Sequence, residues 1–266
     1  MPFQDHFSLL AARYARARPG YPDQLFDYLA CAAPARGLAW DCGTGNGQAA
    51  RGLARHFAHV HATDASAEQL RHADPHPRVE YRREPAEHVS LGNDSVDLVT
   101  SAVAAHWFEL DRFYREVRRV LKPGGIVAVW TYHLPHVSPA VDGVVSYYYS
   151  TLLAGHWPPP LRYVDQRYTT LPFPFDELQP PPFTMTMTWS AGQLAAFLAS
   201  WSAVPRYHEA KGRHPVDEIW DDLLAAWGRD GAAREVRWDL HLRVGRHDGS
   251  QRRDRPSGRS AAQKPA

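Results

Sequence analysis

The sequence predicts an α/β fold with a doubly wound, mostly parallel sheet, and three observations support this prediction. Short apolar strands alternate with helical segments between residues 21 and 132, an order typical of parallel sheets with helices on both faces. The stretch LAWDCGTGNGQAA (38–50) joins a strand to a helix through three glycines at alternate positions. Residues 234–246 alternate in polarity and supply a further, long strand.

The elements of the first half follow from local periodicity. Residues 21–33 have apolar positions at helical spacing, and Pro22 and Asp23 suit a first turn. GLAWDC is a buried strand, and GQAARGLARHF is a helix that leaves the glycine turn. HVHATD (59–64) is the second strand, and SAEQLRHA is its helix with Ser66 as the N-cap.

The same reasoning gives three more strands and a helix before residue 133. RVEYRRE is the third strand and SVDLVTSA (95–102) is the fourth. DRFYREVRRVL is an amphipathic helix that KPGG ends, because glycine and proline do not continue a helix. IVAVWTY (126–132) is then the fifth strand.

The second half has a different composition. Residues 133–182 are rich in prolines and aromatic residues and are predicted to form a cap insertion over the sheet edge. FTMTMTW (183–189) alternates as a strand does, and SAGQLAAFLASW and PVDEIWDDLLAAWG are predicted helices. REVRWDLHLRVGR (234–246) is a strand with one apolar face, formed by Val236, Trp238, Leu240 and Leu242. Residues 247–266 are polar and aperiodic, which predicts a disordered tail after one domain of residues 1–246.

The composition excludes several classes of protein. The 266 residues are 44% apolar with a formal net charge of +1, so neither nucleic acid nor a membrane is an expected partner. Two cysteines make no disulfide framework, and none of the 15 histidines falls in a metal-ligand spacing. We find no signal peptide and no apolar run long enough to span a membrane, so a reducing cytoplasm is expected. The oligomeric state is left open.

The glycine turn is typical of a nucleotide-binding corner at the carboxyl edge of a parallel sheet. Its glycines, Gly43, Gly45 and Gly47, have the spacing G-x-G-x-G rather than the G-x-G-x-x-G of dinucleotide sites. Asp41 precedes them, and a carboxylate suits an ammonium group better than a pyrophosphate. A nicotinamide-dependent dehydrogenase is therefore the weaker alternative, and a purely structural tight turn is another.

Two further acids follow the next strands. Asp64 ends the second strand, where a carboxylate can accept hydrogen bonds from both hydroxyls of a ribose. Glu87 follows the third strand, within reach of an adenine amino group. The simpler alternatives are that Asp64 favours a helix N-terminus and that Glu87 is a solvated loop acid. Three acids at successive strand ends favour the cofactor interpretation.

At these residues the chain resembles class I S-adenosylmethionine-dependent methyltransferases of the small-molecule type. DCGTGNG resembles the first motif of the family, ATDAS the second, PAEHVSLGNDSVDLVTSAVAAHWF the third and fourth, and LKPGG the segment after them. YVDQRYTTLPFPFDE, SWSAVPRY and VRWDLHLRVGR resemble a subgroup related to trans-aconitate methyltransferases, with departures at Ser200 and Pro205. The resemblance implies a Rossmann-like, seven-stranded sheet with an antiparallel C-terminal strand.

The resemblance also implies roles for individual residues. Asp41, Gly43, Gly45 and Gly47 would form the corner at the methionine end of S-adenosyl-L-methionine, and Asp64 and Ala65 would bind its ribose and flank its adenine. Ala86 and Glu87 would reach the adenine edge, and Ser101 and Ala102 would lie beneath the sulfonium. The N-terminal RYARARPGYP resembles a segment that closes over the cofactor, which makes Tyr14, Arg18 and Tyr21 candidates for binding the cofactor or the substrate.

The acceptor site is predicted less sharply. His106 and Trp107 follow the fourth strand, at the expected mouth of the site, and His106 is a candidate base, a donor that orients the acceptor, or a packed histidine. Arg162, Arg167 and Arg206 are candidates for binding a carboxylate. The first hypothesis is O-methylation of a carboxylate on a small soluble acceptor. The alternatives are methylation at carbon or nitrogen of an aromatic small molecule, and a cofactor-binding protein without catalysis.

Overall fold

The computed structural model describes residues 19–228 and 231–249. The strands are β1 Leu38–Cys42, β2 His59–Thr63, β3 Val79–Arg82, β4 Val96–Ala102, β5 Leu121–Tyr132, β6 Asp176–Leu178, β7 Phe183–Trp189 and β8 Arg234–Arg246. The helices are α1 Asp23–Ala32, α2 Gln48–Leu53, α3 Ala67–Arg71, α4 Leu110–Val120, α5 Pro139–Tyr147, α6 Arg162–Asp165, α7 Ala191–Ala199, α8 Val204–Lys211 and α9 Trp220–Trp227. Shorter helical turns are Ala105–Trp107, Tyr148–Leu152, Pro159–Leu161 and Pro215–Glu218.

The strands form one mostly parallel sheet, which confirms the predicted fold class. Its order is β3-β2-β1-β4-β5-β8-β6, and β7 also pairs with β8. The first five strands are parallel to one another, whereas β8 is antiparallel to β5. The parallel order reverses direction between β1 and β4, so the carboxyl ends of these two strands flank the crevice where doubly wound folds bind ligands.

The described sheet has eight strands rather than the seven that the resemblance implies. Arg237 of β8 pairs with His136 on one side and with Thr186 of β7 on the other, so β7 lies on the side of β8 that faces away from β5. β6 pairs with β8 there as well. Residues 180–182 between β6 and β7 are prolines, which cannot donate to the ladder. The extra strand is therefore one edge strand that prolines divide into two pieces.

Local capping rules account for several element boundaries. The Ser66 hydroxyl accepts a hydrogen bond from Gln69 N, as expected of the predicted N-cap. Ser190 and Gln193 form a reciprocal capping box at the start of α7. One boundary differs from the prediction: β5 begins at Leu121 and includes KPGG, with a register shift where it pairs with Val96 and Leu98. The glycines accommodate this irregular start, since Gly124 has a φ of +78°.

Helices and buried side chains cover both faces of the sheet. Alternate residues of a strand point to opposite faces, so Ala39 of β1 packs in the layer with α1 and α2, whereas Trp40 packs with Phe113 and Val117 of α4. The predicted apolar face of β8 is confirmed for Val236, Trp238 and Leu240, which are buried, whereas Leu242 is partly buried.

The chain remains attached to the sheet just beyond β8. His247 N donates to Gly125 O at 2.8 Å, and Gly124 N donates to His247 O at 2.7 Å. The strand pairing therefore extends past Arg246, where the sequence predicted the tail to begin. Residues 250–266 lie outside the described residues. Within the described ranges, no helix has both the length and the apolar character needed to cross a membrane.

Candidate cofactor and acceptor site

The three glycines after β1 differ in what surrounds them. All three have positive φ, of 67° at Gly43, 58° at Gly45 and 84° at Gly47. A Cβ on Gly43 would lie 2.5 Å from the Ala104 Cβ, and one on Gly47 would overlap the Tyr81 ring. Among the described residues, a Cβ on Gly45 would meet only Gln69 Oε1, at 3.8 Å. Gly43 and Gly47 thus allow the turn to pack on the protein, and Gly45 faces a space that the described residues leave open.

Asp41 lies beneath this turn and is fully buried. Its carboxylate accepts hydrogen bonds from the hydroxyls of Thr44, at 2.5 Å, and Thr100, at 2.7 Å. Burial raises the pKa of the Asp41 carboxyl to about 6, although the two hydroxyls oppose this shift. The carboxyl therefore ties β1 to the glycine turn and to β4, and it would be stabilised in its charged form by a nearby cation.

Asp64 links the glycine turn to the loop after β2. One carboxylate oxygen accepts from Gly45 N at 2.9 Å and the other accepts from Ser66 N at 2.8 Å. The side chain therefore lies at the glycine corner, as the ribose-binding hypothesis requires, and it also holds the backbone that precedes α3. The sequence pattern did not reveal the bond to Gly45, because the two residues are distant along the chain.

The residues after β3 occupy the next position along the sheet edge. Ala65 is exposed, Ala86 is buried, and Glu87 is half-buried. Glu87 Oε1 accepts from Glu109 N at 2.9 Å, directly before the first residue of α4. The carboxylate therefore also caps the N-terminus of a helix, a role that neither interpretation of the sequence included.

Two unusual features lie at the carboxyl end of β4. The Ser101 hydroxyl is buried without a hydrogen-bond partner in the described part of the chain, a costly arrangement for a polar group. Ala102 is half-buried beside it. Val103 has a φ of +54°, a strained conformation for a β-branched residue. Strain and unpaired polar groups concentrate at functional sites, and here they coincide with the crevice between β1 and β4.

A cavity of about 190 Å³ opens next to Val103. Its lining residues come from the ends of β4 and β5, the cap insertion and the end of α7: Val103, His106, Trp107, Tyr132, His133, Leu134, Tyr149, Trp157, Leu161, Val164, Phe197, Ser200, Trp201 and Ser202. None of these is an arginine, lysine, aspartate or glutamate. The volume is below the roughly 300–1,000 Å³ of pockets for drug-sized ligands, so the group it can enclose is small.

Aromatic rings form one wall of this cavity. The rings of Tyr149 and Trp157 lie 4.4 Å apart between centroids, and those of Trp157 and Trp201 lie 5.7 Å apart. Trp107 remains half-exposed at the mouth, with 51% of its surface accessible. The aromatic residues of the cap thus line a cavity as well as packing the insertion.

His106 is the buried polar residue of the lining. Its Nδ1 lies 2.7 Å from the hydroxyl of Tyr168, and burial lowers the pKa of the imidazole to about 4. Arg167 and Tyr168 both have positive φ. The guanidinium of Arg243 in β8 donates to the carbonyls of Tyr168, at 3.2 Å, and Leu171, at 2.7 Å, so this turn is held from the sheet. The sequence singled out Tyr168 only as one of the many aromatic residues of the insertion, without a link to His106. It gave no sign of Arg243, which lies opposite the predicted apolar face of β8.

The other predicted substrate residues are not brought to the cavity. Arg162 lies over the ring of Tyr163, at 4.9 Å from its centroid, and Arg167 and Arg206 are exposed. Tyr21 packs edge-on against Trp130 of β5, with centroids 5.3 Å apart. Tyr14 and Arg18 lie outside the described residues. None of the three arginines that the sequence offered as candidates for binding a carboxylate is therefore part of the described lining.

The fold defines the class of protein: the chain is a Rossmann-like α/β protein with a glycine turn after β1. Residues 40–129 match the family model described as a methyltransferase domain. A Dictyostelium discoideum protein named as a methyltransferase is 32% identical over 229 residues, which cover 85% of this chain and 87% of that protein. A solved structure from Anaeromyxobacter dehalogenans, described as a type II methyltransferase, is 46% identical, with a TM-score of 0.81 over 86% of this chain and 98% of that one.

A Saccharomyces cerevisiae protein named as an S-adenosylmethionine-dependent methyltransferase is 29% identical over 147 residues, or 52% of this chain and 50% of that protein. All three names are provisional. The chain belongs to the S-adenosylmethionine-dependent methyltransferase family, and its cofactor is S-adenosyl-L-methionine. The described residues fit this cofactor, because an open glycine face, a buried acid and an unpaired hydroxyl meet at one sheet edge.

Proposed function

We propose that this enzyme methylates a carboxylate oxygen of a small acid with an apolar body. The lining of the cavity is the observation that carries the proposal: it is mostly aromatic or aliphatic, and its described residues include no strong base. S-adenosyl-L-methionine supplies an electrophilic methyl group and a positive charge beside it. The protein then has to align the acceptor oxygen and exclude water.

The titratable groups of the lining are poorly suited to removing a proton. Burial lowers the pKa of His106 to about 4 and also lowers the pKa of His133. Burial raises the pKa of Tyr149, which keeps its hydroxyl protonated. A general base works best when its pKa lies near the working pH. An acceptor that is already anionic at neutral pH needs no base, and a carboxylate meets that condition whereas a phenol does not.

The walls of the cavity support the rest of the proposal about the acceptor. Aromatic side chains favour an apolar or planar body, and a cavity of about 190 Å³ encloses only a small one. The segments that resemble the trans-aconitate methyltransferase subgroup also favour a carboxylate. A molecule with several carboxylates would bring several charges against a lining whose described residues include no arginine or lysine, which is costly. We therefore expect a monocarboxylic acid.

Methylation at nitrogen or carbon of an aromatic molecule is the second candidate. The ring pairs of Tyr149, Trp157 and Trp201 favour it, because they suit a planar substrate, and a neutral amine also reacts without a base. The reaction at nitrogen differs from ester formation in its product. A methyl ester releases methanol in alkali, whereas an N-methyl or C-methyl product is stable.

A matched panel tests the proposal. 3-Phenylpropanoate, 3-phenylpropanol and 3-phenylpropylamine share one apolar body, and benzoate, hexanoate and indole extend the range. Each is incubated with the enzyme and S-adenosyl-L-methionine labelled in its methyl group. We expect transfer to the acids alone, with the label released as methanol by alkali. Label that survives alkali, or transfer only to the amine or to indole, would refute carboxylate methylation.

A further inference from the structure

We infer that His106 binds the acceptor oxygen through its Nε2–H, and that Tyr168 fixes this arrangement by occupying Nδ1. The role of His106 toward the acceptor rests on the proposed function, whereas the position of its proton does not. Two contacts of the described chain carry the inference: the hydrogen bond between His106 Nδ1 and the Tyr168 hydroxyl, 2.7 Å long, and the place of His106 in the cavity lining.

The direction of the hydrogen bond follows from what surrounds the Tyr168 oxygen. Tyr168 is fully buried, in the turn that Arg243 holds. The backbone N–H of His106 faces the same phenol oxygen, so one acceptor position of that oxygen is used. Thr131 also interacts with this hydroxyl, but the hydrogen bond that Thr131 Oγ1 forms goes to Tyr132 O, at 3.2 Å. The hydroxyl hydrogen of Tyr168 needs an acceptor of its own, and in the described part of the chain His106 Nδ1, at 2.7 Å, is the one with hydrogen-bond geometry. Tyr168 therefore donates and Nδ1 accepts.

The protonation states agree with this geometry. Burial lowers the pKa of His106 to about 4 and raises the pKa of Tyr168 far above its ordinary value. Both side chains are therefore neutral between about pH 5 and pH 9. A neutral imidazole carries a single proton. Because Nδ1 accepts from Tyr168, that proton lies on Nε2.

The second nitrogen is available to a ligand. Nothing in the described part of the chain forms a hydrogen bond with Nε2, and Nε2 is not one of the fully enclosed polar atoms without a partner. The imidazole packs against the Trp107 ring at 4.8 Å between centroids, at the mouth of the cavity. The Nε2–H is thus a neutral donor at the cavity surface, close to the strained Val103 and the end of β4.

This arrangement has a consequence for the choice of acceptor. A nitrogen that already carries a proton cannot remove another one, so His106 acts as a donor and not as the general base that the sequence allowed. It can bind an oxygen that reacts without losing a proton, such as a carboxylate oxygen, and it gives no help to an alcohol or phenol, which must lose its proton in the reaction. His106 is accordingly a substrate-binding residue, and Tyr168 is a positioning residue that acts through it.

The proton position is measured directly by ¹⁵N NMR of the full chain, labelled at histidine and saturated with S-adenosylhomocysteine. The signals of His106 are assigned by their loss in His106→Gln. We expect the Nε2–H tautomer from pH 6 to pH 8. Tyr168→Phe removes the fixing hydroxyl, and we expect its His106 to populate both tautomers. The inference would be overturned if the wild-type spectrum showed the His106 proton on Nδ1, or if the His106 signals titrated near pH 6.5.

Turnover of the acids in the panel tests the role. Gln places an amide N–H near the position of imidazole Nε2, whereas Asn places one near Nδ1, so the two variants are matched controls. We expect His106→Gln to keep kcat/KM within about fivefold, and His106→Ala and His106→Asn to lower it by about 10- to 150-fold, the range for a bond to a charged acceptor. Equal losses in the Gln and Asn variants would overturn the role. If the NMR spectra show the Nε2–H tautomer but no acid is methylated, the proposed function is refuted, whereas the assignment of the proton to Nε2 is retained.

Discussion

Gly45 offers the sharpest test of where the cofactor binds. In Gly45→Ala the new Cβ meets only Gln69 Oε1, at 3.8 Å, so the described protein has room for it. The φ of +58° remains unfavourable for an L residue, by about 1–2 kcal/mol. In a protein of this size, 1 kcal/mol changes Tm by about 2–4 °C. We therefore expect a folded variant whose Tm is about 2–8 °C lower.

The same methyl group should have a larger effect on binding, because it fills the face of the turn that the described protein leaves open. Forcing extra carbon into a close-packed contact costs about 1–3 kcal/mol, which corresponds to roughly 5- to 150-fold in affinity. Isothermal titration with S-adenosylhomocysteine measures the affinity, and thermal unfolding without ligand measures the stability. NAD should give no heat with either protein.

Gly212→Ala is the matched control, since Gly212 also has positive φ, 69°, and no atom of residues 19–228 or 231–249 lies within 4 Å of a Cβ built there. It should lose similar stability and keep wild-type affinity. Gly47→Ala is the opposite control, because its Cβ would overlap Tyr81 and should cost more stability than Gly45→Ala. If Gly45→Ala binds S-adenosylhomocysteine as tightly as Gly212→Ala does, the open face of Gly45 is not the cofactor site.

Three further predictions concern the same edge of the sheet and the end of the chain. Asp64→Ala should weaken S-adenosylhomocysteine binding roughly 10- to 150-fold and also lower Tm, because Gly45 N and Ser66 N lose their acceptor; a lower Tm with unchanged affinity would rule out ribose binding. The folded pKa of Asp41, about 6, exceeds the ordinary 3.8, so its contribution to stability falls as pH rises from about 4 to about 6. If the ammonium group of the cofactor lies near Asp41, the affinity for S-adenosylhomocysteine, measured by titration, should rise with pH through about 6. This pH dependence should be weaker in Asp41→Asn, and an affinity of the wild type that does not change with pH would contradict the prediction. Removal of residues 250–266 should leave Tm unchanged, whereas truncation after Arg246 should lower it, since His247 bonds to Gly124 and Gly125; equal Tm values for the two truncations would show that these bonds contribute nothing.

The fold could be predicted from the sequence because its signals are local. Apolar periodicity, the N-caps Ser66 and Ser190 and the glycine turn act within a few residues, so each element can be recognised separately. Their alternation then leaves few ways to arrange a parallel sheet. The start of β5 was placed too late because KPGG ends α4 and also lies within the strand, and a pattern assigns it only one role.

For the candidate site, the sequence predicted only which residues lie at the ends of the strands. Asp41 lies near the end of β1, and Asp64 and Glu87 follow β2 and β3, so their shared edge followed from the parallel topology. Their hydrogen-bond partners did not.

The sequence by itself determined the sheet, the glycine corner and the family of this enzyme, since each depends on residues adjacent in the chain. Only the tertiary structure decided the acceptor side. His106 and Tyr168 are separated by 62 positions, and Arg243 reaches the Tyr168 carbonyl across 75. The cavity is assembled from the ends of two strands, an insertion and a helix. Such contacts form when distant segments pack together, and no local pattern of residue types specifies which side chains then meet.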